Sequence, residues 1–174
     1  MQILLDTHYL LWYLFDDPRI SEEVDELLSN PENNIYYSTA SLWEIEIKHM
    51  KHPNIVPYTS KQIADACLDT DIENLPIFNK HIFQFNNCKK KNKTPEHNDP
   101  FDLILLAQAK RSGLKLLTHD HAFKYYDEDC LLTKWLTLIS NCYTIMYYLG
   151  LNLVSTGIVW FKLQWSDDLI IKTK

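Results

Sequence analysis

Asp99-Pro100-Phe101-Asp102-Leu103-Ile104-Leu105-Leu106-Ala107-Gln108-Ala109, closed by Gly113 and followed by Lys115-Leu116-Leu117-Thr118, decides how this chain folds. Asp at an N-cap with Pro at the first helical position is a strong helix start. The Asp oxygen satisfies an orphan N–H, and Pro has no N–H to leave unsatisfied. Leu103 to Ala109 is apolar nearly all round, which predicts a helix buried against another layer. Gly113 supplies the C-cap, and Lys115–Thr118 then reads as a buried strand.

Working outward, Met1–Leu5 and Ile35–Tyr37 are two more short apolar runs. Tyr9–Phe15 reads as a helix packed on the sheet. Ser21 is a good N-cap for a helix to about Leu28, with Glu22 and Glu23 favourably placed in its first turn. Ser38 or Ser41 caps a helix Leu42–His49, another runs from about Lys61 to Asp69, and His81–Phe85 makes a helical turn. Asn74-Leu75-Pro76-Ile77 is an edge strand or extended segment, because Pro cannot donate to a central ladder. Strands alternating with helices indicate an α/β fold with a parallel sheet.

The acids stand where this architecture gathers them. Asp6 ends the first apolar run, Glu44 follows the second, Asp102 opens the buried helix, and Asp120 follows Leu116-Leu117-Thr118. In open α/β sheets the functional crevice lies outside the carboxyl ends of the strands. Carboxylates collected there repel one another unless a cation holds them, and hard oxygen donors suit Mg²⁺ or Mn²⁺. That pattern points to phosphodiester chemistry. Asp99 lies three residues before Asp102, on the same face of the first turn; it reads first as a helix cap.

The 174 residues, 46% of them hydrophobic, suffice for one domain with a real core. A net charge of −6 argues against a generally basic nucleic-acid coat, though Lys89-Lys90-Lys91 with Lys93 is a local exception. That run reads either as a solvated loop or as a phosphate contact. Cys67, Cys88, Cys130 and Cys142 show no metal or redox spacing, so reduced thiols in a cytoplasmic protein are expected. The short N-terminal apolar run is interrupted by Asp6 and lacks a basic region before it, unlike a signal peptide. Trp12 and Trp43 read as residues of core-facing helix sides rather than as base-stacking platforms, so neither is expected to contact a nucleotide. His8, His97 and His119 flank the acids and read as polar edge residues.

Four stretches, in order, carry a family resemblance: Leu4-Leu5-Asp6-Thr7-His8, Ser38-Thr39-Ala40-Ser41-Leu42-Trp43-Glu44-Ile45-Glu46-Ile47-Lys48, His97-Asn98-Asp99-Pro100-Phe101-Asp102 with Ala107-Gln108-Ala109, and Leu117-Thr118-His119-Asp120. The set resembles the PIN-domain ribonucleases, specifically the VapC-type toxins of bacterial toxin–antitoxin pairs, over about residues 1 to 132. The resemblance implies a three-layer α/β/α fold with a central parallel sheet and RNA as substrate. It also implies Mg²⁺ or Mn²⁺ as cofactor, a cognate antitoxin as partner, and a homodimer. Residue by residue it carries the catalytic metal-binding acids onto Asp6, Glu44, Asp102 and Asp120, with Asp99 as a further candidate ligand. Thr7, Ser38 and Thr118 become candidates for orienting those carboxylates. A basic residue commonly follows the third acid in this group, whereas here it is Leu103, which puts a substrate contact there in doubt.

Two other classes of function compete. One is a PIN-like module that has lost activity and only binds a protein partner; the presence of every expected acid argues against it. The other is a phosphatase with an Asp nucleophile, but such enzymes commonly carry a second Asp two residues on, where this chain has His8.

The resemblance stops near Leu132, leaving 133–174 as an atypical apolar extension. From Trp135 to Phe161 the chain runs 27 residues without a charged side chain, flanked by Lys134 and Lys162. That length spans a bilayer, which needs roughly 20 apolar residues. Asn141, Asn152, Gly150, Gly157 and several Ser and Thr dilute the stretch, and the flanking charges are symmetrical, so a membrane span is disfavoured. A packing or oligomerising extension and an aggregation-prone appendage remain. If the extension is an appendage, a chain ending at Leu132 gains soluble yield without losing activity; loss of folding on truncation, read by circular dichroism, counts against it.

Overall fold

A computed structural model describes residues 1–88 and 99–132. The lysine run at 89–93, His97, Cys142 and the extension 133–174 lie outside the described residues. Among the described residues no helix is long and apolar enough to cross a membrane.

The chain alternates as its patterning predicts. Strand β1 (Gln2–Leu5) leads into α1 (Thr7–Leu14) and α2 (Glu22–Ser29). β2 (Asn34–Ser38) is followed by α3 (Thr39–Lys51) and α4 (Ser60–Asp69), and β3 (Glu73–Leu75) by the short α5 (Asn79–Ile82). Helix α6 (Pro100–Ser112) then precedes β4 (Lys115–Leu117), a 3₁₀ turn (His121–Tyr125) and β5 (Leu131–Leu132). The strands form one sheet in the order β3-β2-β1-β4-β5, with every neighbouring pair parallel.

Period-two alternation of apolar residues divides the core into two layers. Ile3 and Leu5 of β1 join Ile35 and Tyr37 of β2 and Leu117 of β4, under Leu10, Val24, Ile45, Ile63 and Cys67 from α1 to α4. Leu4 and Leu116 point to the opposite face and pack with Leu105, Leu106 and Ala109 of α6 and with Phe123. Ile3, Leu4 and Leu5 are fully buried, so β1 is covered on both faces, as an unbroken apolar run in a parallel sheet demands. The result is the expected α/β/α sandwich.

Helix α6 follows its sequence signals closely. The Asp99 side chain accepts from the Phe101 N–H at 2.8 Å, Pro100 opens the helix, and Gly113 ends it at φ 71°, a left-handed conformation that costs Gly nothing. The fully buried Gln108 ties this helix to the sheet edge. Its Oε1 accepts from Ser38 Oγ at 2.5 Å, and its Nε2 donates to the carbonyls of Leu75 and Pro76 at 3.2 and 3.3 Å.

Two features depart from the sequence-based expectation. The helix carrying Glu44 begins at Thr39, three residues before Leu42, because Ser38 rather than Ser41 caps it by accepting from the Ala40 N–H. A fifth strand exists: Leu131 and Leu132 pair with Leu116 and Leu117, a two-residue ladder too short for any periodic signal.

Replacing Gln108 by Leu leaves the Ser38 hydroxyl and two strand-edge carbonyls without their partner inside the protein. The expected loss is about 1–3 kcal/mol, read as a lower urea midpoint with an unchanged slope.

Candidate active site

The strand order reverses at β1. Strands β2 and β3 build outward on one side and β4 and β5 on the other, so the crevice at the carboxyl ends of β1 and β4 is the natural binding place. Asp6 sits there, directly after β1 and 3% exposed. Its own N–H donates to the Leu117 carbonyl at 3.0 Å, which ties it to the end of β4. Its Oδ1 caps α1, accepting from the N–H groups of His8 and Tyr9 at 2.7 and 3.0 Å. Asp120 mirrors it three residues beyond β4. Its Oδ1 accepts from the Ala122 N–H at 2.7 Å, capping the 3₁₀ turn, and its own N–H donates to Thr118 Oγ1 at 3.1 Å.

Glu44 enters from α3 and is nearly buried. Thr7 Oγ1 donates to its Oε2 at 2.6 Å, and the Lys48 ammonium, one helical turn on, pairs with its Oε1 at 2.5 Å. Asp99 and Asp102 come from the start of α6, Asp99 exposed as the cap and Asp102 half-buried in the first turn.

Asp102 reports how the acids are grouped. Burial first, and then the negative charges of Asp99, Asp120, Asp6 and Glu44, together push its carboxyl up from 3.8 to about 8. Each of the five sequence-predicted acids is therefore part of one electrostatic neighbourhood, although they come from four separate parts of the chain. A carboxylate kept partly out of water beside four others holds its proton, because two like charges in a poorly screened site cannot both be tolerated cheaply.

This donor set fits a hard divalent cation: it is all oxygen, and its excess negative charge is what such a cation neutralises. Among the described residues no three acids, histidines or cysteines are drawn into a finished ion shell. The carboxylates share a neighbourhood; those of Asp6, Asp99 and Asp120 accept from backbone N–H groups, and that of Glu44 engages Thr7 and Lys48.

The supporting residues sort differently from the sequence reading. Thr7 orients Glu44 directly. Thr118 acts on Asp120 through the backbone N–H and not through the carboxylate. Ser38 caps α3 and donates to Gln108, and no hydrogen bond links it to a site acid. Trp12 is in the core, between His8, Tyr9 and His119. Trp43 is not: it is 61% exposed, a correction to its expected place on a buried helix face. Lys48 is the site residue that went unassigned; its i, i+4 spacing from Glu44 was the available signal.

The profile of the PIN domain family matches residues 3–129 of this chain. No curated protein shows significant similarity to it. Among solved structures, the chain is similar to one from the VapBC2 complex of Rickettsia felis bound to a promoter DNA fragment. The identity is 19% and the TM-score 0.56, covering 76% of this chain and 98% of that one. It is also similar to a chain of VapBC-1 from nontypeable Haemophilus influenzae, at 19% identity and a TM-score of 0.50, covering 72% of this chain and 92% of that one. At such identities the likeness is one of fold, and it agrees with the parallel sheet described above. With the family profile spanning nearly all of the described residues, the chain belongs to the PIN domain family.

Proposed function

We propose that this protein is a Mg²⁺- or Mn²⁺-dependent endoribonuclease, the toxin of a toxin–antitoxin pair, in which Asp6, Glu44, Asp102 and Asp120 hold the metal and Asp99 lies at the rim of the same site. The observation that supports this reading is that Asp6 follows β1, Asp120 follows the neighbouring β4, Glu44 lies on α3 and Asp102 opens α6, so that separate parts of the chain bring carboxylates towards one sheet edge. A fold that spends stability to crowd carboxylates beside a crevice does so for a cation and what the cation binds.

The chemistry supplied when the metal is bound is activation of a water for in-line attack on an RNA phosphodiester, with stabilisation of the leaving 3′ oxygen. The chain's own groups prepare the site. The N–H groups at the start of α1 hold Asp6, Thr7 holds Glu44, and Thr118 fixes the backbone at Asp120. Lys48 neutralises Glu44 and, being exposed, presents an ammonium that an RNA phosphate can share. No side chain needs to form a covalent bond to substrate, and the flanking histidines are given no role.

The toxin assignment follows the fold shared with chains of two VapBC complexes together with the ordered motifs. It brings with it a cognate antitoxin as partner and a homodimeric state. Cys67, Cys88 and Cys130 are free thiols, in keeping with a reducing cytoplasm.

Incubation with total RNA in Mg²⁺ or Mn²⁺, beside an EDTA control, tests the reading. Cleavage is expected only with metal, and Asp6→Asn and Asp102→Asn each lower it roughly 10²–10³-fold. Metal-independent cleavage, or full activity in both variants, would refute the assignment; no cleavage by folded protein would favour the binding-only module.

The raised carboxyl of Asp102 also sets a pH signature. Its folded value of about 8 lies above its unfolded value near 3.8, so the folded state binds the extra proton between the two. This residue's contribution to metal-free stability is therefore lost as pH rises from about 4 to about 8. Calorimetry in EDTA is expected to show Asp102→Asn gaining melting temperature relative to wild type as pH rises through that window. Added Mg²⁺ is expected to stabilise wild type more at pH 8 than at pH 5. Parallel pH profiles of the two proteins in EDTA would contradict this.

A further inference from the structure

We propose that Trp43, braced by Phe101, is the nucleobase-stacking surface of this site, holding one base of a single-stranded RNA beside the phosphate at the carboxylates. The inference rests on the nuclease reading above and names how that site grips its substrate.

Trp43 directly precedes Glu44 on α3, and Phe101 directly precedes Asp102 on α6. The two rings meet edge to face, with centroids 5.3 Å apart and planes at 80°. The acids that follow them also sense each other, since Glu44 raises the carboxyl of Asp102. An aromatic pair and an acid pair therefore sit side by side on the same two helices. Phe101 fixes the indole through a favourable ring contact while most of the indole surface stays in water. Trp12, by comparison, is only 7% exposed. A large aromatic held in place and left uncovered at the lip of a site is poised for a flat ligand.

Charge favours a base over phosphate contacts alone. With a net charge of −6 the chain lacks a general basic coat, and Lys48 is already engaged by Glu44. Stacking needs no positive charge, works with any base, and is worth roughly ten-fold or more in affinity per base. The competing occupant is a second copy of this chain, because Ile47 and exposed Met50 continue the line of Trp43 along α3. Phe101 argues for RNA: it belongs to a different helix, off that line and next to Asp102.

The test is metal-dependent cleavage kinetics on a short single-stranded RNA and on copies carrying one abasic nucleotide, moved position by position past the cleaved bond. For Trp43→Ala, KM should rise about ten-fold with kcat within about three-fold, and Trp43→Phe should recover most of the loss. In the wild type one abasic position should raise KM similarly, and the same position should have little further effect in Trp43→Ala. Equal KM values and equal abasic sensitivity in wild type and Trp43→Ala overturn the stacking role while leaving the nuclease reading intact. A change in mass by light scattering, with abasic sensitivity retained, assigns the indole to a second copy and also overturns it. Absence of metal-dependent cleavage by the wild type removes both readings.

Discussion

Repulsion among carboxylates is the constraint around which the site is built. Asp6 and Glu44 are nearly buried at the end of a sheet whose central strand is covered on both faces, and Asp102 is close enough to feel four other acids. Like charges beside an apolar interior are poorly screened, so the arrangement works against folding. It survives because each charge has a named compensation: N–H groups for Asp6, Asp99 and Asp120, Thr7 and Lys48 for Glu44, and a retained proton for Asp102. The energy that offsets it comes from elsewhere, from the apolar residues of β1, β4 and α6.

Helix capping and site building turn out to be one device. Asp6, Asp99 and Asp120 each cap the element that follows them, and every one of those capping bonds uses Oδ1. Capping engages one oxygen of the carboxylate, so serving as a cap and serving as a ligand are compatible duties. The cap on Asp99 uses Oδ1 and so leaves its second oxygen compatible with the ligand role proposed for it. Capping also explains why the acids collect where they do: in a parallel sheet the helix N-termini follow the strand ends, and N-caps favour Asp.

The contacts proposed for Lys48 and Trp43, both on α3, are of two kinds. The ammonium offers charge to a phosphate but is tied to Glu44. The indole offers area, unaffected by the charge around it. A chain with a net charge of −6 has more to gain from the second, because stacking needs no positive charge.

Much of this was readable from local chemistry. Asp99-Pro100 and Gly113 determined the ends of α6, since capping and left-handed backbone depend on a few adjacent residues. The apolar runs at Ile3–Leu5, Ile35–Tyr37 and Leu116–Leu117 determined three strands, and with the helices between them a parallel sheet. The acids were legible because a parallel sheet sends its strand ends to one edge. Tertiary structure alone decided the rest. Leu131–Leu132 became a strand only because β4 offers an open ladder, which two residues cannot announce. Ser38 turned toward Gln108, 70 residues away, instead of toward an acid. Trp43 lies outside the core although helical spacing allowed it inside, because periodicity assigns residues to a face without saying what covers that face. Burial, partner choice and the proton on Asp102 depend on groups distant in sequence meeting in space, and that meeting exists only once the sheet has brought the strand ends together.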